Sequence, residues 1–284
     1  MYFCEMQRQL IFGACALWIA ASLLGGCKFQ RLQKSTDVKR KYEAAIEFYA
    51  SKDYNKAGIL FEEIIPLLSG TQEDETAQFY FAYCNYHQKQ YLTASHYFEK
   101  FYLNFQRSVF AEEALYMHAF SLYKDAAPHY LDQKSTRKAI LAFQNLLNAY
   151  KQTAYKDECN KLIFDLRERL ERKSFEQARL YYRIRNYKAA VITTGNFQKD
   201  YPDSQYSEEA AYFRILSQYK YAKNSLETRQ QERYQDVVKF YEYLVDNFPD
   251  GKFAKQAEDM YKDSVTQIAK LGNKYKTLQT LNQQ

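Results

Sequence analysis

Cys27 is the residue of this chain best placed for chemistry. It closes the tetrapeptide Leu24-Gly25-Gly26-Cys27, directly behind an apolar run from Leu10 to Leu24. Those fifteen residues follow a polar stretch containing Arg8 and end in small side chains. The run is shorter than the roughly 20 residues that cross a bilayer as a helix, and its layout is that of a cleavable export signal. Small residues ahead of a cysteine resemble a bacterial lipobox, at which the chain is cut before the cysteine and the cysteine is acylated. One acyl chain holds a protein at a membrane only marginally, whereas two or more hold it stably. The other reading of these residues is an uncleaved anchor helix with an incidental cysteine.

Other groups with chemical potential fall away in turn. The adjacent pairs Glu112-Glu113 and Glu208-Glu209 suggest acid–base work. Both sit where a helix begins, so the macrodipole accounts for them, and neighbouring residues on a helix do not face one another. The histidines His87, His96, His118 and His129 form no His-Glu-x-x-His pattern, and no glycine-rich phosphate loop exists. His87 and His96 fall in different helices of one pair, and a metal between them is not expected. Cys4 and Cys15 leave with the signal; Cys84 and Cys159 lie inside helical patterns without close-spaced partners, as buried small hydrophobes do. No catalytic residue, cofactor or metal is expected, and the chain does not read as an enzyme.

The elements that carry these residues are helices. Tyr and Phe number 28 and 20, against only 4 Pro and 8 Gly, so long helices and few tight turns are expected. The net charge of +6 comes from 40 basic and 34 acidic residues with no basic stripe, which excludes nucleic acid as the expected partner. Lys28, Arg31 and Lys34 lie beside the anchor, where they meet anionic headgroups or simply solvate a tether.

Self-comparison reveals a repeat. In Asp53 to Phe61 and in Gln90 to Phe98, a Tyr leads an Ala by three and an aromatic follows that Ala by four. Anchors at 57, 94, 139, 190 and 237 lie 37, 45, 51 and 47 residues apart, the range of helix-pair arrays in which each unit buries its apolar face against its neighbours. A second phrase marks the joints: Phe105 to Phe110, Tyr201 to Tyr206 and Phe248 to Phe253 align, with Tyr150 to Tyr155 a worn copy. There Pro ends one helix, Asp or Ser caps the next, and an aromatic staples the corner. The expected class is all-α, a tetratricopeptide-like helical-hairpin solenoid of about five repeats. Its pairs cover about 37–68, 73–104, 109–150, 154–201 and 205–248, with a closing helix at 252–271 and insertions near Asp125 to Lys134 and Asn224 to Gln230. The expected division is a signal at 1–26, a lipidated tether at 27–36, repeats one to three at 37–150, repeats four and five with the closing helix at 151–271, and a frayed tail at 272–284. Ten residues from Cys27 to Asp37 reach at most about 35 Å when extended.

The order of alanine, aromatic and proline positions resembles tetratricopeptide repeats. Trp and Gly of that consensus are absent, and Ala45, Ala82 and Ala119 take the small-residue place. Together with the lipobox, the long fourth-repeat helix and the Tyr201-Pro202-Asp203-Ser204 joint, the chain resembles the BamD (YfiO) family of outer-membrane assembly lipoproteins. The resemblance implies a non-enzymatic part of the machine that inserts β-barrels into the outer membrane. Its implied partners are the periplasmic domains of a BamA-like barrel insertase, unfolded β-barrel proteins, and the lipid membrane through acylated Cys27. The implied place is the periplasmic face of the outer membrane.

Carrying over the register of such folds, the first helices of successive pairs line a groove. The groove positions are then Tyr42, Ile46 and Tyr49; Phe79, Tyr83 and Tyr86; Tyr116, Phe120 and Tyr123. Each trio is spaced four then three, on one helix face. Such a surface suits an extended segment rich in aromatics. The same spacing also fits the core between repeats, and a shift of one residue exchanges the two. A periplasmic adaptor for envelope or wall complexes and a glycan-binding lipoprotein are the competing functions, although the single Trp, Trp18, lies inside the signal.

Overall fold

The computed structural model describes residues 29–281, and their side chains as far as residue 274. Cys27 and the apolar run before it lie outside the described residues. A short helix, α1, covers 29–33, followed by α2 (Val38–Ala50), α3 (Tyr54–Ile64) with a 3-10 turn at Ile65–Leu67, α4 (Gln72–His87), α5 (Tyr91–Asn104), α6 (Ala111–Asp125), α7 (Lys134–Ala149), α8 (Lys156–Arg183), α9 (Tyr187–Asp200), α10 (Ser207–Lys223), α11 (Glu227–Asn247) and α12 (Ala254–Leu281). The chain forms two compact units, one from residues up to 127 with 133–163, the other from 128–132 with 164 onward. In the first, each helix from α2 to α7 packs on the next; in the second, α9 to α12 do the same. The architecture is all-α and built of sequential hairpins.

The repeat anchors explain why the hairpins form. Ala45, Ala57, Ala82, Ala94, Ala119, Ala139, Ala190 and Val237 are all fully buried, because the small side chain lets two helices of a pair approach closely. The aromatics four residues after the first three anchors of the second helices, Phe61, Phe98 and Phe143, are also fully buried. Within three pairs the turn is the same. Lys52, Lys89 and Arg185 adopt left-handed φ of 64°, 62° and 62°, and each is bracketed by the two backbone bonds of a Schellman closure. In the first, Asp53 N donates to Phe48 O and Lys52 N to Tyr49 O, both at 2.9 Å. Asp53 and Asn186 then cap the following helices.

The joints between pairs have a different grammar from the one expected. Ser108, Thr153 and Ser204 do not cap the next helix; each hydroxyl accepts from the backbone N–H two residues on, at 2.9, 3.2 and 3.2 Å, closing a tight turn. The residue that donates this bond is the joint aromatic, Phe110, Tyr155 or Tyr206. Gly251 replaces the hydroxyl residue in the last joint, and Glu208 Oε1 takes over, accepting from Phe253 N at 3.0 Å. A Cβ at Gly251 would meet that same carboxylate and lie 2.9 Å from the Phe248 carbonyl oxygen, so glycine is required there. Each joint aromatic stacks nearly parallel on a ring from the first helix of the preceding pair. The couples are Phe110 on Phe79, Tyr155 on Tyr116, Tyr206 on Phe175 and Phe253 on Tyr212, with centroids 4.5, 4.1, 4.9 and 4.9 Å apart.

Two ends depart from expectation. Residues 29–33 are not an extended tether: Phe29 meets Phe48 edge-on at 5.7 Å, and with Leu32 it packs on the first hydrophobic cluster. Apolar side chains at a helical spacing of three make that docking favourable. At the other end α12 continues through Gly272 to Leu281. Leu271 is buried with Ala222 and Tyr234, and Lys274 bridges to Glu227 at 2.6 Å, so nothing stops the helix where fraying was expected. The insertion near Asn224 lengthens α11 to 21 residues rather than opening a long loop.

Cys84 and Cys159 are free and buried. Burial pushes their thiols up, to about 12 and about 11. Low thiolate content and low access both slow alkylation. Iodoacetamide at pH 8 is therefore expected to leave both unmodified in the folded protein and to label both in urea; rapid labelling of either in the native state would contradict this packing.

Candidate functional site

Partly exposed aromatics from α2, α4 and α6 form one continuous face in the first unit. Tyr49 of α2 lies 4.5 Å from Tyr80 and meets Tyr54 edge-on at 5.5 Å. Tyr54 stacks on His87 at 4.1 Å, and His87 lies 5.9 Å from Tyr83, again nearly parallel. Tyr83 meets Tyr86 edge-on, and Tyr86 reaches across to Phe120 of α6 at 6.2 Å. Along α6, Phe120 stacks on Tyr123 at 5.9 Å with the planes only 12° apart. Rings recur here because positions four then three apart share a helix side, and α4 and α6 present the same side.

Of the nine sequence-derived positions, seven remain partly exposed: Tyr42, Ile46, Tyr49, Tyr83, Tyr86, Phe120 and Tyr123. The other two are corrected. Phe79 and Tyr116 are only 3% and 7% exposed, because they are the lower members of the corner stacks with Phe110 and Tyr155. They support the face instead of presenting it. Tyr42 stands apart from the ring chain, its hydroxyl paired with Thr76 and its ring packed on the first core cluster.

The polar groups of this face were not picked out as site residues by sequence reasoning. The Tyr83 hydroxyl donates to the Glu113 carboxylate in a short hydrogen bond. Burial, then that bond, pushes the phenol far above the ordinary tyrosine range. Tyr116 is raised by burial and by its hydrogen bond to Glu158, and Tyr49 by burial and by the neighbouring Cys84, Tyr54, Tyr80 and Glu113. These phenols therefore stay protonated and act as donors. Burial and the nearby Lys52 depress His87, which favours its neutral form. Lys124 Nζ sits 5.0 Å from the Phe120 centroid. Among the described residues no group of three His, Cys, Asp or Glu side chains is placed to hold a metal ion, and no helix is long and apolar enough to cross a membrane. Chemically, the arrangement offers flat apolar contact and charges of both signs, which are means of gripping a polypeptide.

A family model described as YfiO, outer membrane lipoprotein, matches residues 34–211 and 181–272. No match was found among curated proteins. Among solved structures, a tetratricopeptide-repeat protein from Bacteroides fragilis is 15% identical, with 81% of this chain and 99% of that one covered, at a TM-score of 0.39. The TPR2AB domain of yeast Sti1, solved as a pHSP90 complex, is 13% identical over 80% of this chain and 98% of that one, also at 0.39. A putative kinesin light chain with tetratricopeptide-like repeats from Podospora anserina is 12% identical over 83% and 96%, at 0.32.

Proposed function

Because the chain belongs to the YfiO family of outer membrane lipoproteins, we propose that it is a scaffold of the machinery that inserts β-barrel proteins into that membrane. It is anchored through acylated Cys27 and works on the periplasmic face. The second unit and its neighbours engage the periplasmic domains of the barrel insertase, and the aromatic face on α2, α4 and α6 holds unfolded barrel segments. The observation that carries the reading is the family match, which runs through both units from residue 34 to 272. The aromatic face adds the physical means, since Tyr rings offer contact area and a hydroxyl at small entropic cost. The docked helix at 29–33 supports a site close to the lipid leaflet: only Lys28 separates Cys27 from Phe29, so little free chain remains to act as a spacer.

Extraction of the lipidated protein in mild detergent is expected to bring the outer-membrane insertase with it in constant ratio. Recovery of wall or division proteins alone would replace this reading with that of a general envelope adaptor.

A further inference from the structure

We propose that the aromatic face of the first unit selects extended segments that carry a Lys or Arg at one end, seated among Glu112, Glu113 and Glu158, and a carboxylate at the other, beside Lys124. The inference rests on the client-binding reading above and adds which segments are chosen. Glu113 and Glu158 are held by the hydroxyls of Tyr83 and Tyr116. Tyr155, the joint aromatic over Tyr116, lies in the field of all three carboxylates. Among the described residues, none of the three forms an ion pair with a Lys or Arg. Three carboxylates that no Lys or Arg neutralises, beside half-buried rings, form a seat that a cation fits, both by charge and by contact with ring faces.

The other end is opposite in sign. Lys124 covers the Phe120 ring, its Nζ 5.0 Å from the centroid. This polarity follows from the helices themselves, which favour acids at their first turns and bases at their last; Glu112 and Glu113 begin α6 and Lys124 ends it. Glu113 and Lys124 are eleven residues apart, about 16 Å at 1.5 Å per helical residue. An extended chain covers that distance in about five residues. The complementary segment is therefore a base and an acid about five residues apart with apolar or aromatic side chains between them.

Fluorescein-labelled peptides of that design test it, with the full lipidated protein in detergent and anisotropy as the readout. The designed peptide is expected to bind, and its Lys→Gln analogue about tenfold more weakly. The double variant Glu113→Gln with Glu158→Gln is expected to bind both peptides equally, with an unchanged melting curve. If the double variant melts lower, Glu112→Gln alone carries the same test with a smaller loss of preference. Equal binding of the two peptides to the unaltered protein, or a preference that survives the Gln substitutions, overturns the charge selection while leaving client binding intact. Failure of both peptides to bind overturns the client-binding reading itself.

Discussion

Phe98→Ala is expected to destabilise the first unit by about 3–5 kcal/mol, the cost of removing a fully buried ring whose cavity cannot close. Phe98 follows the Ala94 anchor by four and is completely buried on α5, the helix that packs on both α4 and α6. Its edge meets Phe79 at 6.1 Å and Tyr83 at 4.9 Å. The ring therefore supports a corner stack on one side and the aromatic face on the other. In an array of hairpins each unit is stabilised only by its neighbours, so a hole in α5 has no larger core to absorb it. Urea denaturation followed by circular dichroism measures the effect as a shift in midpoint at constant slope. Leu92→Ala on the exposed side of the same helix serves as the control and is expected to change stability by less than about 0.5 kcal/mol. A loss below about 1 kcal/mol for Phe98→Ala would mean that the anchor pattern does not mark the core.

That pattern made the fold legible. Alanines at 57, 94, 139 and 190 are spaced as hairpins require, and every one is fully buried. The joints were legible as places but not as mechanisms. Ser108 and Ser204 look like helix caps, yet Phe110 and Tyr206 occupy the cap positions, because the serine hydroxyl is already spent on the turn. The same joints explain the error at Phe79 and Tyr116. Spacing of four then three marks a helix side, but it carries no information about a ring arriving from about 30–40 residues downstream. The signal was present in the recurrence of joint aromatics at 110, 155, 206 and 253, each of which needs a flat partner in the preceding first helix. Glu113 and Glu158 were hidden for a different reason. The macrodipole explains why acids begin α6 and α8, and an explanation sufficient for position left their pairing with Tyr83 and Tyr116 unsought.

Tyr86→Ala combined with Phe120→Ala is expected to weaken capture of barrel-derived peptides by about 10- to 100-fold while the fold survives. Interface aromatics below the hot-spot threshold cost about 1 kcal/mol each when truncated, and 1.4 kcal/mol is a factor of about ten in affinity. These two residues are the better choice than Tyr83, because Tyr83 also holds Glu113 and rests on Phe98, so its loss mixes binding with packing. Tyr86 and Phe120 instead form the bridge at 6.2 Å by which the ring chain passes from α4 to α6. Both are partly exposed, and removing them leaves the corner stacks of Phe79 and Tyr116 in place. Photo-crosslinking to a peptide from the C-terminal strand of a barrel protein gives the binding readout, and a thermal melt within a few degrees of the unaltered protein confirms that structure is retained. The opposite pairing of results is equally informative: undiminished crosslinking with a markedly lower melting point would make this face part of the core and move the client site elsewhere.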